Sequence, residues 1–493
     1  MLTKRLIILL IATCLLAAAC APLEPLPAEA SQPTALPAAP VLHATPSITP
    51  LPTRPPYLPG TLVNYTAQPG DTLKLLAVRF NTTQAEILAH NPGIRADVTT
   101  LAPGLAMKIP IYYQPLWGSP YQILPDELFV NGPAQVGFNS GEFISSHPGW
   151  LSSYRGPAGT NVYSAGEIVD MVSRDYSVSP RLLLALLEFQ SQALSSPAAP
   201  EGRLEAPLGQ HAPGYTGLYL QLIWAANALN NAYYDDLAGR VTTIAHLDGT
   251  LERPDPWQNP ASVALQVYFS QYLSGSAYSQ AIGPDGFAAV YARLFGNPWQ
   301  NRHPHIPGDL QQPAFQFPFE PGKIWAYTGG PHTGYGISGA PFAAIDLAPP
   351  STASGCIPSG EWVTAVADGV VARAEDGLVV LDLDGDGDER TGWDIIYLHV
   401  IHDDSIAKGL VLHAGDRIGH PSCERGEATG THAHIARKYN GEWIEAGGII
   451  PLNFEGWVVH AGSAAYEGTM VKNGRTVTAC TCSDHNAMVQ RGQ

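Results

Sequence analysis

The sequence predicts a multidomain α+β protein, and three changes of pattern along the chain carry that prediction. A strand–helix–helix–strand pattern occupies 61–112, helical apolar spacing runs through 113–309, and short β-rich segments bounded by Gly, Asp and Asn turns fill 313–468. We read these as a small βααβ domain, a helical middle domain and a C-terminal antiparallel β domain, with 469–493 as a tail. A chain of 493 residues also exceeds what one hydrophobic core holds, so two to four domains are expected on length alone.

The first element is an export signal at 1–20. Lys4 and Arg5 precede an apolar run from Leu6 to Ala19 that is too short for an ordinary membrane span. Leu16–Ala17–Ala18–Ala19–Cys20 resembles a bacterial lipobox, which implies that Cys20 becomes the lipidated first residue of the mature chain. The alternative is an ordinary Ala-x-Ala cleavage site followed by an unrelated Cys. Lipidation would hold the protein at the outer face of the bacterial cytoplasmic membrane or in the cell envelope. Residues 21–60 are crowded with Pro, Ala, Thr and Ser, which bury no core and favour extended polyproline II. At roughly 3.1 Å per residue this linker reaches on the order of 100 Å.

In 61–112, a strand around Tyr65 enters a Pro69–Gly70–Asp71 turn. Leu75, Leu76, Ile87 and Leu88 give two helices their apolar faces, and Lys108–Ile109–Pro110 closes the unit as a strand. The run Tyr65 to Leu73, with Asn91–Pro92 and Pro103–Gly104, resembles a LysM domain over its full length. The resemblance implies binding of N-acetylglucosamine-containing glycan, with Gly70, Asp71, Thr72 and Asn91 lining or shaping the groove. Turn and cap chemistry is the other reading of Asp71 and Asn91.

The helical region 113–309 shows 3.6-residue spacing in Val162–Gln192, Gly217–Leu237, Ala261–Leu273 and Gly286–Leu294, with Ser164 as a helix cap and Pro180 at a helix start. Arg181 to Ser191 resembles the opening of a lysozyme-like transglycosylase domain, whose acid is a Glu just before a Ser. Here Gln190 holds that place, and Gln has no proton to give a glycosidic oxygen. Glu188 lies about 200° away around the helix. The expectation is a degenerate, catalytically silent domain.

In 313–468 the chemistry concentrates. His432–Ala433–His434 on a strand sends both imidazoles to one face. Tyr397–Leu398–His399 ends another apolar run, and Gly329–Gly330–Pro331–His332 and Ala344–Ile345–Asp346–Leu347 lie upstream. Together these residues resemble the lysostaphin-type zinc peptidoglycan endopeptidases, specifically their β-lytic, staphylolysin-like branch. The resemblance implies Zn2+ held by His332, Asp346 and His434, with His399 and His432 handling protons and steadying the oxyanion. Most of that family has a His four residues before the Asp, where this chain has Phe342. The β-lytic branch shares the longer spacing, so His332 is taken as the first ligand. His402, His413, His420 and His460, and the His303–Pro304–His305 segment, are read as structural or solvent-exposed.

Asp382, Asp384, Asp386 and Asp388 alternate around Gly385 and Gly387 like the first half of an EF-hand loop, a candidate Ca2+ site. Trp393 stands where the twelfth-position Glu belongs, and a solvated acidic turn is the alternative. Beyond the signal and Cys20, four cysteines permit three pairings in an oxidising compartment. Cys356 with Cys423 is the expected bridge, because both sit in loops near Asp346 and His432.

The net charge of −17, with no basic stripe, excludes nucleic acid as a partner. The expected function is zinc-dependent cleavage of peptidoglycan peptide cross-links, anchored by lipid and targeted by LysM. The alternatives are an inactive wall-binding adaptor and glycan-strand cleavage by the helical domain.

Overall fold

The computed structural model describes residues 51–492 apart from 301, 337, 352–353, 358 and 482–483. The signal peptide, Cys20 and most of the Pro-rich linker lie outside these residues.

Strands β1 (Thr61–Thr66) and β2 (Ala106–Ile111) pair antiparallel, with Tyr65 opposite Met107. Between them run α1 (Leu73–Arg79) and α2 (Gln84–His90). The Thr72 hydroxyl caps α1 at the Leu75 amide, and Thr83 and Glu86 form a reciprocal capping box on α2. Val63, Leu76, Phe80, Ile87 and Ile109 fill the small core between sheet and helices.

Five longer helices build the middle region: α3 (Ala165–Tyr176), α4 (Pro180–Ser191), α5 (Leu218–Leu237), α6 (Pro260–Ser270) and α7 (Phe287–Phe295). The Val162–Gln192 stretch is not one helix. Asn161–Ser164 is a strand paired with Arg155–Ala158, Ser164 caps α3, and Ser177 ends it in the left-handed region with φ 54°. Ser179 then caps α4 with Pro180 at its first position, where a missing amide costs nothing and the preceding residue is kept extended.

The C-terminal region centres on a nine-stranded antiparallel sheet. Its strands are β3 (Ile324–His332), β4 (Ala344–Ala348), β5 (Gly369–Glu375), β6 (Leu378–Asp382), β7 (Trp393–Leu398), β8 (Val411–Leu412), β9 (Ala433–Tyr439), β10 (Glu442–Trp443) and β11 (Met488–Gln490). The order is β8–β5–β6–β7–β9–β4–β3–β11, with β10 paired to β9. Both faces of the central strands are covered. Val380, Ile396 and Ala436 pack toward the helices, while Val379, Leu381, Ile395, Tyr397 and Ile435 face a second core. That double burial explains why β6 and β7 read as continuous apolar runs rather than alternating ones.

The segment expected as a tail is instead built into this domain. Trp457–Ala461, Gly468–Lys472 and Arg475–Thr478 form an antiparallel meander, and β11 supplies an edge strand beside β3. Met470, Val477 and Val489 are buried in the second core. The segment's polar, Gly-containing sequence hid three apolar side chains spaced too far apart to read as one element.

Candidate metal and active site

Neighbouring strands bring the histidines and the aspartate together. On β9, His434 lies directly opposite Asp346 of β4 and Leu398 of β7, so the aspartate and the second histidine of the His-x-His share one sheet row. Asp346 in turn faces Gly329 of β3. A Cβ on Gly329 would sit 2.4 Å from Asp346 Oδ2, so only glycine leaves room for this carboxylate. His332 ends β3 on the same side.

Hydrogen bonds fix how each ring points. His332 Nδ1 donates to the Gly330 carbonyl at 2.8 Å and His434 Nε2 to the Gly334 carbonyl at 3.0 Å, because a carbonyl can only accept. The lone pairs of His332 Nε2 and His434 Nδ1 therefore face each other 3.0 Å apart. Asp346 Oδ1 stands 3.3 Å from the first and 3.4 Å from the second, buried and without a hydrogen-bond partner. Three acceptors converging in a buried space, with their hydrogens turned outward, fit a metal cation. Zinc's preference for two imidazoles and one carboxylate matches this donor set.

The charges agree with that reading. Burial opposes ionisation of Asp346, but the His332, His434 and His432 side chains outweigh it and hold the carboxyl well below its usual range. Burial also works against charge on His332, where Asp346 prevails and raises the pKa, whereas in His434 burial prevails and lowers it.

His399 and His432 flank the cluster, their ring centroids 4.6 Å apart. His399 Nδ1 donates to the Glu424 carbonyl at 2.9 Å and His432 Nδ1 to the Gly430 carbonyl at 2.7 Å, which turns both Nε2 atoms inward. Burial, then the neighbouring His432 and His434 rings, push the His399 pKa down to about 4. His399 also holds a left-handed backbone with φ 61°, a strained conformation for a side-chain-bearing residue, at the break between β7 and Val400–Ile401.

Sequence reading missed two residues here. The Ser422 amide and hydroxyl both bond the His399 carbonyl, at 2.7 and 2.9 Å, and its own carbonyl accepts from the His432 amide, so one buried serine braces the backbone at both histidines. Tyr466 stacks on His332 with centroids 4.2 Å apart. Neither belongs to a motif, and a lone Ser beside a Cys and a loop Tyr carry no signal in the sequence.

All five site residues line one cleft of about 2200 Å³. Gly355 and Ile357, which line it, flank Cys356 of a Cys356–Cys423 disulfide with Cα atoms 5.7 Å apart, and their carbonyls accept from Thr431 just before His432. The helical region supplies part of the wall. Tyr335, three residues past His332, packs against Tyr176 of α3 and bonds Asp175, which also pairs with Arg373 and Arg425.

Elsewhere the candidate residues have structural tasks. Asp71 is buried, accepts from the Tyr65 hydroxyl and the Gln68 amide at 2.7 Å each, and faces Arg79. Gly70 and Thr72 are buried with it, and Asn91 ties α2 to β2 through the Ile87 carbonyl and the Lys108 backbone. Turn and cap chemistry thus accounts for the residues expected along a glycan groove. In the helical region, both carboxylate oxygens of buried Glu188 are taken by Leu194 and Ser195, so it caps a turn rather than serving as an acid. At the acidic turn, Asp382, Asp384 and Asp386 cluster, but Asp388 does not join them. Arg390 takes both of its oxygens at 2.6 Å.

Two family models match the chain: the LysM domain over residues 65–110 and the LasA N-terminal domain over residues 122–309. These two segments are thus similar to a LysM domain and to the N-terminal domain of LasA. Protease LasA of Pseudomonas aeruginosa strain UCBPP-PA14 is 26% identical over 368 residues, covering 70% of this chain and 79% of that protein. Protease LasA of strain PAO1 is 25% identical over 367 residues with the same coverage. Among solved structures, the M23 metalloprotease pseudoalterin covers 34% of this chain and 96% of its own at 22% identity and TM-score 0.28. The catalytic domain of lysostaphin from Staphylococcus simulans covers 25% and 87% at 22% identity and TM-score 0.18.

Proposed function

We propose that this protein is a zinc-dependent endopeptidase that cuts peptide cross-links of bacterial peptidoglycan. The observation that carries the reading is the convergence of His332 Nε2, His434 Nδ1 and the unpartnered Asp346 Oδ1. These three would hold the zinc, which supplies Lewis acidity toward a peptide carbonyl. His399, neutral with its proton on Nδ1, presents an Nε2 lone pair to the cleft and takes the proton of the attacking water. His432, when it carries protons on both nitrogens, donates from Nε2 to the developing oxyanion, and the proton taken up by His399 goes on to the leaving amine. Ser422 fixes the backbone that carries both histidines, and the Glu424 and Gly430 carbonyls orient the rings.

The LysM domain brings the enzyme to wall glycan, and the lipid on Cys20, with the linker behind it, tethers the enzyme at the envelope. Among the described residues no helix is long and apolar enough to cross a membrane. The test is zinc content together with product analysis on purified peptidoglycan. New amino termini at one zinc per chain support the peptidase. New reducing sugar ends would assign cleavage to the helical region, and absence of zinc and of any product would leave a wall-binding adaptor.

A further inference from the structure

We propose that the acidic turn between β6 and β7 binds a divalent cation of the calcium type through Asp382, Asp384 and Asp386, with Asp394 as the buried counter-charge behind them. One oxygen from each of the three turn residues lies within 4.8 Å of the others. Acid clusters on surface turns are common, so this proximity alone assigns nothing.

The independent observation is Asp394. It is fully buried at the start of β7, and neither carboxylate oxygen has a hydrogen-bond partner. It is the direct cross-strand partner of Asp382, so the two side chains leave the same face of the sheet as close neighbours. On its other side the cross-strand partner is Lys438, but that ammonium is engaged by Glu389 at 3.0 Å, and Glu389 also takes Arg373. Asp394 thus adjoins Asp382 at the root of the turn, with its other neighbour Lys438 engaged elsewhere. A buried carboxylate without hydrogen bonds is a costly arrangement that folded proteins relieve with a counter-charge, and a cation on the adjoining turn is such a charge. Burial, with Lys438 opposing and Glu389, Asp382 and Asp384 adding to it, pushes the Asp394 carboxyl well above its ordinary range.

The donor chemistry selects the ion. Hard carboxylate oxygens with no nitrogen or sulfur among them suit calcium over zinc. Trp393 occupies the place of the EF-hand's closing Glu, and Asp394, one residue further, offers its negative charge from inside the sheet. This inference does not rest on the peptidase reading. Asp394 and His434 belong to the same sheet face but to opposite ends of the β7–β9 pair.

The experiment uses the full chain with its zinc retained, freed of calcium by a calcium-selective chelator and then titrated with calcium by calorimetry and thermal melting, with magnesium as control. One calcium per chain with Kd on the order of 10⁻⁴ M or tighter is expected. The unfolding equilibrium constant should fall about a hundredfold at a hundredfold excess over Kd. Asp384→Asn with Asp386→Asn, both exposed, should abolish the response while zinc stays. Asp394→Asn should weaken calcium binding about tenfold by removing one charge beside the ion. A parent protein that neither binds calcium nor melts higher with it overturns the site, as does an undiminished response in the Asp384/Asp386 variant. Unchanged affinity in Asp394→Asn overturns the role of Asp394.

Discussion

Gly329→Ala is the sharpest probe of the metal site, because it touches no ligand yet must move one. The added methyl would sit 2.4 Å from Asp346 Oδ2, 3.0 Å from Cγ and 3.1 Å from Cβ. Ordinary contact requires about 3.5 Å, so the carboxylate must retreat by about 1 Å. A displacement of about 1 Å in a catalytic array costs roughly 10²-fold in turnover, or about 2.7 kcal/mol of transition-state stabilisation. Overpacking adds about 1–3 kcal/mol of lost stability. Release of amino termini from purified peptidoglycan, zinc per chain and thermal melting together read these effects. Gly330→Ala is the companion variant, since its methyl would meet the Glu467 carbonyl carbon at 2.4 Å and not the carboxylate. It should destabilise the fold with a smaller loss of zinc. Parental turnover and full zinc in Gly329→Ala would refute the placement of Asp346 as a ligand packed against a bare backbone.

His332→Ala should lose zinc and activity together, whereas His399→Ala and His432→Ala should keep zinc and lose roughly 10²–10⁴-fold in turnover. Zinc retained in the first, or lost in either of the others, would show that ligand and proton carrier have been exchanged. Glu389 gives an acid-stability prediction. Burial opposes its charge, but Lys438 at 3.0 Å and Arg373 at 2.9 Å outweigh it and hold the pKa at about 2, below the ordinary 4.5. The folded value is the lower one, so its stabilisation is complete above about pH 4.5 and disappears as pH falls through about 2. It amounts to about 3 kcal/mol. Glu389→Gln should remove that part of the acid sensitivity, and an unaltered pH–melting curve would contradict it. Cys20→Ala should convert a membrane-bound protein into a released or unprocessed one, and fractionation showing unchanged membrane attachment would exclude lipidation.

What the sequence made legible follows from locality. His432 and His434 announce themselves because a strand's two-residue period puts both on one face, and Ser164 and Pro180 mark helix starts by chemistry confined to one turn. The order of the sheet could not be read this way. Nothing near Asp346 states that its neighbours are Gly329 on one side and His434 on the other. Asp394 was invisible for the same reason: it looks like an isolated acid in an apolar run until β6 places Asp382 beside it. Asp71 shows the same limit from the other direction. Its motif resembles a sugar groove, but the Tyr65 hydroxyl and Arg79 turn its carboxylate inward.

Strand β9 lies between β7 and β4, so among the described residues it alone joins the β8–β5–β6–β7 half of the sheet to the β4–β3–β11 half. It is also the strand that carries His434, made 102 residues after His332. Closing the sheet and assembling the catalytic centre are therefore one event. A chain that has not yet folded holds its histidines and its aspartate on separate, unjoined pieces. Such a chain would be harmless to the cell that makes it until folding is complete, and hydrolytic competence would switch on with tertiary structure rather than grow in gradually.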